Sequence, residues 1–316
     1  MRRLLVIRGG AIGDFILTLP AIKLLREAYL QARLEIVGYK HIIGLADRRF
    51  YADAVRSIEY GALASFFAKG AELPSELADY FARFDLVVSY LFDPDRVFET
   101  NVRRCGVANF LAGSPKIVGT EHAAVQLARP LAELGLSLKC AAAPLYLNPN
   151  DRASGSASLE EVAGPVVAMH PGSGSMTKNW PIEHWRGLGQ RLIETGDAGS
   201  LLIVGGEADE KSLGRLRETL AHDAVRFAES LPLPQLAAIF ERCALFIGHD
   251  SGISHIAAAA QIPCVLLFGP TDPAVWAPAN ASVRVLQGKA GDFAGLDVQQ
   301  VHEAARDILA TRAFTS

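Results

Sequence analysis

The stretch RGGAIGD, residues 8–14, places one carboxylate where an apolar run ends and an amphipathic segment begins. Gly10 and Gly13 in such a turn let backbone amides approach an anion, and a helix N-terminus behind them adds positive dipole. Asp14 at this junction reads either as a helix N-cap or as an acid–base group beside a substrate. Three later loops carry comparable groups. HPGSGSMTKNWP, residues 170–181, offers the hydroxyls of Ser173, Ser175 and Thr177 followed by Lys178, a set suited to cradling a phosphate. It reads alternatively as a solvated loop with Trp180 and Trp185 in the core. In GGEADE, residues 205–210, Glu207 can accept hydrogen bonds from a ribose diol; otherwise Glu207, Asp209 and Glu210 only favour the first turn of a helix. The densest loop, GHDSGISH at residues 248–255, sets Asp250, Ser251, Gly252 and His255 at the head of an alanine-rich helix that brings backbone close to a ligand.

Stricter motifs are absent from these loops. Arg8 stands where the first glycine of a dinucleotide GxGxxG would be, which weakens an NAD-dependent oxidoreductase reading, and no GxxxxGK[ST] order follows. Gly248 to Gly252 reads GHDSG, so the elbow that exposes a nucleophilic serine is missing. His249, Asp250 and His255 do not have the spacing of HExxH, and Asp93-Pro94-Asp95 has the form of a metal-binding DxD motif but is explained as well by a turn on Pro94. No metal is assigned.

The elements that must position these loops are short Val-, Ile- and Leu-rich runs, each followed by a polar turn and a segment of helical spacing. That alternation predicts an α/β fold with parallel sheets. Strands are expected at residues 4–7, 34–37, 86–89 and 116–118 in the first half, with a helix through Ile22, Leu25 and Tyr29 between the first two. In the second half strands are expected at 166–169, 201–204, 244–247 and 265–268, with helices near 182–195, 208–220, 233–241 and 253–260. The Pro-, Asn-, Ser- and Gly-rich stretch 144–165 reads as a linker, giving domains 1–152 and 153–316. A last helix, about 298–311, follows the Gly-Lys-Ala-Gly turn at 288–291 and can pack on either domain, the N-terminal one included. Ligands of open α/β sheets sit beyond the carboxyl ends of the strands, so the loops above are the places to look.

Length and composition agree with this division. The chain has 316 residues, 50% of them hydrophobic and 21% charged, enough for two globular cores. A net charge of −3 argues against a nucleic-acid partner. Arg8 and its glycines interrupt the N-terminal apolar run before a signal core or membrane span is complete, so a cytoplasmic protein is expected. Cys105, Cys140, Cys243 and Cys264 form no CxxC pair and read as thiols, not as a disulfide framework.

Taken together, GAIGDFILTLPAIKLLRE, HPGSGSMTKNWPIEHWRGL, VGGEADE and GHDSGISHIAAAAQIPCVLLFGPTDPAVWAP resemble glycosyltransferase family 9, the ADP-heptose:lipopolysaccharide heptosyltransferases. The resemblance implies a GT-B fold, two Rossmann-like domains facing across a cleft, with acceptor on residues 1–152 and nucleotide sugar on 153–316. It implies an inverting transfer of heptose from ADP-heptose to a lipopolysaccharide-core or related glycan, without metal or other cofactor. On this pattern Asp14 is the general base, and Lys178 meets the donor phosphates. Glu207 lies near the ribose and adenine side. Asp250, Ser251, Gly252 and His255 form the donor loop, with Ser173, Ser175 and Thr177 near the diphosphate. Gly10 and Gly13 belong to the acceptor side. Lys40, Arg48, Arg49, Arg103 and Arg104 are candidates to meet acceptor phosphate or carboxylate, or else a solvated surface. Residues 90–115 depart from the family's usual run, so the acceptor is the open part of the reading. The expected setting is a monomer in the cytoplasm, in transient contact with the inner-membrane surface. A different sugar or acceptor, including a protein or another envelope glycan, keeps the same fold, and so does a non-catalytic sugar-nucleotide-binding protein.

Overall fold

The structure, a computed structural model, describes residues 1–157, 159, 164–289, 291–293 and 295–313, the last two of these without their side chains. The chain divides into two compact units, Met1–Ala141 and Ala142–Ser316. This boundary falls ahead of the expected one at 152.

The first unit runs β1 (Arg3–Arg8), α1 (Ile12–Ala28), β2 (Arg33–Gly38), α2 (Lys40–Ile43), β3 (Ala54–Ser57), α3 (Ser75–Phe81), β4 (Leu86–Ser89), α4 (Val97–Arg104), β5 (Asn109–Ala112) and α5 (Ala123–Ala128). Its five strands are all parallel in the order β3-β2-β1-β4-β5. Leu4, Leu5, Val6 and Ile7 are buried because helices cover both faces of a parallel sheet, and continuous apolar runs are the sequence form of that burial. A cluster of Phe66, Phe81, Phe98 and Phe110 packs beside Leu5, Ile7 and Val87 on one face. Residues 116–118, expected as a strand, are loop; the strand beside β4 is β5.

The second unit runs α6 (Pro149–Ala157), β6 (Val166–His170), α7 (Ile182–Glu194), β7 (Ser200–Gly205), α8 (Glu210–Thr219), β8 (Val225–Glu229), α9 (Leu233–Glu241), β9 (Leu245–His249), α10 (Gly252–Ala259), β10 (Cys264–Phe268), α11 (Pro273–Trp276), β11 (Val283–Gln287) and α12 (Val298–Ala313). Its six parallel strands lie in the order β11-β10-β9-β6-β7-β8. The stretch expected as a linker holds α6, which packs on α9; residues 158 and 160–163 of it lie outside the described residues. The last helix, α12, packs against α7 and the strands β9 and β10 of its own unit. In the turn before it, residue 290 lies outside the described residues.

Both strand orders reverse direction once. In the first sheet the chain fills β1, β2 and β3 to one side, then returns to place β4 on the other side of β1. In the second it fills β6, β7 and β8, then returns to place β9 beside β6. At such a reversal the loops leaving two neighbouring strands part in opposite directions and leave a crevice at their carboxyl ends. The RGGAIGD turn leaves β1, and the HPGSGS and GHDSG loops leave β6 and β9.

Candidate functional site

In the first unit Asp14 is the third residue of α1, not its N-cap; Ala11 holds that position. The Ala11 backbone N–H donates to Asp14 Oδ2 at 2.9 Å, the reciprocal half of a capping box, so Asp14 supports the helix start from its third position. Gly10 makes this possible. Its φ is +93°, and a Cβ there would come within 2.7 Å of Asp14 Oδ2. Gly13 precedes Asp14 in the same first turn.

Arg8, at the end of β1, puts Nη2 3.2 Å from Asp14 Oδ1, with side-chain exposures of 2% and 31%. Its Nε donates to Thr18 Oγ1 at 3.0 Å, Thr18 Oγ1 donates to the Asp14 carbonyl, and the guanidinium lies 5.9 Å from the centre of the Tyr90 ring. Burial lowers the Arg8 pKa, and the charges of Asp14 and Tyr90 oppose that fall. A guanidinium remains protonated in proteins, so Arg8 is a fixed buried cation that orients one face of the carboxylate while the other face meets solvent.

The basic candidates of this unit are either held by protein groups or exposed. Arg49 Nη1 donates to the carbonyls of Gly44 and Asp47, and Arg48 is exposed with φ +50°. Arg103 is engaged by Glu99 and the Ala108 carbonyl, Arg104 by Asn101 Oδ1 and the Ala71 carbonyl. Lys40 is exposed at the start of α2. Arg96 is the N-cap residue of α4, and the Asp93 carboxylate, from the turn before it, accepts from the backbone N–H groups of Val97, Phe98 and Glu99. A capping role accounts for the Asp-Pro-Asp signal.

In the second unit Lys178, on the short 3-10 turn Met176–Lys178, donates from Nζ to Asp250 Oδ2 at 2.7 Å. The same oxygen accepts from Thr271 Oγ1 at 2.8 Å. Lys178 is 31% exposed and Asp250 10%, so the ammonium is held at the mouth of the β6/β9 crevice with one face open. Ser251 caps α10, accepting from the Ser254 N–H, and Gly252 opens that helix. His255 lies one turn along it, buried.

The loop after β6 is ordered by its own hydroxyls. Ser173 Oγ donates to Asn179 Oδ1 at 2.6 Å, and Ser175 and Thr177 share a hydrogen bond at 3.0 Å. Glu207 is exposed in the turn Glu207–Asp209 that follows β7.

His249, considered above as a metal ligand, is a buried brace. Its Nε2 accepts from the Trp180 N–H at 2.8 Å and Nδ1 faces the Gly172 carbonyl at 3.3 Å. Burial pushes its pKa down to about 3, so the imidazole is neutral and ties Gly172 to Trp180 across the loop after β6. Trp180 and Trp185 are in the core, their rings edge to face at 5.5 Å. Among the described residues no group of three His, Cys, Asp or Glu side chains is placed to hold a metal ion.

Sequence reasoning gives no site role to four residues. Arg8 was noticed as a departure from a glycine motif, although a charge ending a buried strand is itself a signal. Thr271 lies in the quoted GPTDP loop. His170 and Asp209 meet at 3.3 Å, and Asp209 also accepts the Gly206 N–H, tying the β6 and β7 loops together. Burial alone would raise the Asp209 pKa; the His170 and Gly206 hydrogen bonds outweigh it and hold the carboxyl below its ordinary value. A Cβ at Gly172 would fall 1.7 Å from Asp209 Oδ1, so the loop needs glycine there.

A profile of glycosyltransferase family 9 (heptosyltransferase) matches residues 116–303, more than half of the chain. The chain belongs to glycosyltransferase family 9. Within that family, a stretch of 109 residues is 34% identical to lipopolysaccharide heptosyltransferase 1 of Pseudomonas aeruginosa, covering 34% of this chain and 30% of the relative. The chain thus aligns with about a third of the length of such curated relatives. A family 9 glycosyl transferase from Veillonella parvula has the same fold, with TM-score 0.81 and 20% identity over 98% of both chains. An Escherichia coli heptosyltransferase solved with ADP gives TM-score 0.70 and 18% identity over 97% of this chain and 99% of that one. The two parallel-sheet units are those of the GT-B fold.

Proposed function

We propose that this family 9 protein is an inverting heptosyltransferase that uses ADP-heptose and a lipopolysaccharide-core or related glycan acceptor, with no metal. The observation that carries the reading is the pairing of Lys178 with Asp250 and Thr271 at the strand reversal of the second sheet, where an ammonium and the N-terminus of α10 share one crevice. That setting suits a nucleoside diphosphate, and the ADP-bound neighbour and the named relatives supply the choice of ADP and heptose.

In the reaction the acceptor hydroxyl oxygen attacks the anomeric carbon, and the bond from that carbon to the diphosphate breaks with inversion. Asp14 takes the hydroxyl proton as the new bond forms. Each Asp14 oxygen already has one partner, Arg8 or the Ala11 N–H, and retains a lone pair for the acceptor. Lys178, backbone amides and the α10 N-terminus stabilise the charge that develops on the leaving ADP. Glu207 contacts the nucleoside, and Ser173, Ser175, Thr177, Asp250, Ser251, Gly252 and His255 frame the diphosphate. Asp250 holds the ammonium until the diphosphate competes for it.

No helix among the described residues is long and apolar enough to cross a membrane. The proposed place of action is the cytoplasmic face of the inner membrane, reached through the acceptor. The test is ADP release from ADP-heptose in the presence of core oligosaccharide. Turnover that disappears in Asp14→Asn while ADP affinity is retained supports the assignment; full turnover in that variant refutes Asp14 as the base.

A further inference from the structure

The segment that departs from the family's run builds a cavity. Its volume is about 230 Å3, all its lining lies between Ser89 and Pro115, and the family profile begins to match at residue 116, just beyond it. The cavity opens at the carboxyl ends of β4 and β5. Leu91 in its wall lies 3.7 Å from where a Cβ of Gly9 would be, so it adjoins the turn that carries Asp14.

The wall is mainly apolar, from Leu91, Phe92, Pro94 and Phe110. Phe92 is 59% exposed, and the Lys116 ammonium sits over its ring, 4.4 Å from the centre. The charged lining residues are Asp93, Arg96 and Glu99, and each is engaged within the segment. Asp93 accepts from the first backbone N–H groups of α4, and Glu99 holds Arg96 through two hydrogen bonds and Arg103 through one. Within this lining two carboxylates stand against one guanidinium, and the cations Lys116 and Arg103 lie outside it. An acidic sugar would find no surplus cation in the wall itself, whereas an exposed aromatic face beside a small cavity suits the apolar C–H face of a neutral ring.

We infer that this cavity seats one neutral sugar ring of the acceptor, stacked on Phe92 in the place that Lys116 now covers. The inference rests on the transferase reading and adds to it the acceptor's chemical class. A neutral ring needs the aromatic face and is indifferent to ionic strength, because no ion pair forms on binding.

The experiment titrates the full chain with a neutral methyl heptoside and with the methyl glycoside of an acidic 3-deoxy-octulosonic acid, at low and high salt, by saturation-transfer NMR. Wild type, Phe92→Ala and Phe92→Tyr are compared, with ADP affinity as the check on folding. The neutral glycoside is expected to bind equally at both salt concentrations. Phe92→Ala should weaken it about tenfold, the size of one aromatic contact, and Phe92→Tyr should restore it. Preference for the acidic glycoside, affinity that falls with salt, or an unchanged Phe92→Ala overturns the inference. Absence of ADP binding in wild type would strike the transferase reading alone, since the glycoside titrations decide the cavity independently.

Discussion

Asp14 and Lys178 are each bound to an opposite charge, yet each keeps one face toward solvent. For Asp14 the buried partner is a permanent cation, so replacing the carboxylate by an amide removes the proton acceptor while preserving shape. Asp14→Asn is expected to lower kcat by about 10²- to 10⁴-fold, the usual contribution of general base catalysis, with the donor KM unchanged. Lys178→Met is expected to show the opposite pattern. Loss of one charge-assisted hydrogen bond to phosphate should weaken ADP binding about tenfold or more in a calorimetric titration. Of these two residues the sequence announced the type and the loop. It could not announce Arg8 or Thr271 as their partners, because those contacts are made only when separate strand ends are brought side by side.

At the scale of elements, the β6 loop depends on a neutral His249 between Trp180 and Gly172. The folded pKa, about 3, lies below the ordinary 6.5, so the unfolded state binds the proton first as pH falls. His249 therefore contributes stability that is full above pH 6.5 and is lost as pH falls through the window toward 3, by about 2 kcal/mol at pH 5. Urea unfolding of wild type and His249→Gln at the two pH values checks this: the variant should lose that part of the pH dependence. In α1, Gly10→Ala forces a side chain onto the Asp14 carboxylate in a left-handed turn. A loss of about 1–3 kcal/mol is expected by the same measurement, with impaired turnover.

The strands missed in the sequence are β3, β5, β8 and β11, and these are the four sheet edges. None of AVRS, NFLA, VRFAE and VRVLQ is buried throughout, so they lack the unbroken apolar run that made β1, β4, β6 and β10 legible. The linker was misread for a related reason. α6 has the sequence PNDRASGSA, rich in turn-forming residues, and is held by packing on α9, which no local pattern records.

At the scale of the whole molecule, two open sheets with one reversal each explain why the chemistry-bearing loops fall where they do. The alternation of apolar runs and helices was enough to predict the fold class, and four separated motifs were enough to predict the family. The acceptor remained open in the sequence because residues 90–115 depart from the family's run, and their cavity arises from α4 and β5 packing together, with Arg96 and Arg103 both held by Glu99. The donor half of the proposal rests on Lys178 and its partners Asp250 and Thr271. The measurement that tests it most directly is a calorimetric titration of the full chain with ADP-heptose, GDP- and UDP-sugars as controls, with and without EDTA. Selective binding of ADP-heptose, undiminished by EDTA and weakened in Lys178→Met, is the predicted result. Preference for a guanine or uracil nucleotide, or binding that EDTA abolishes, would contradict it.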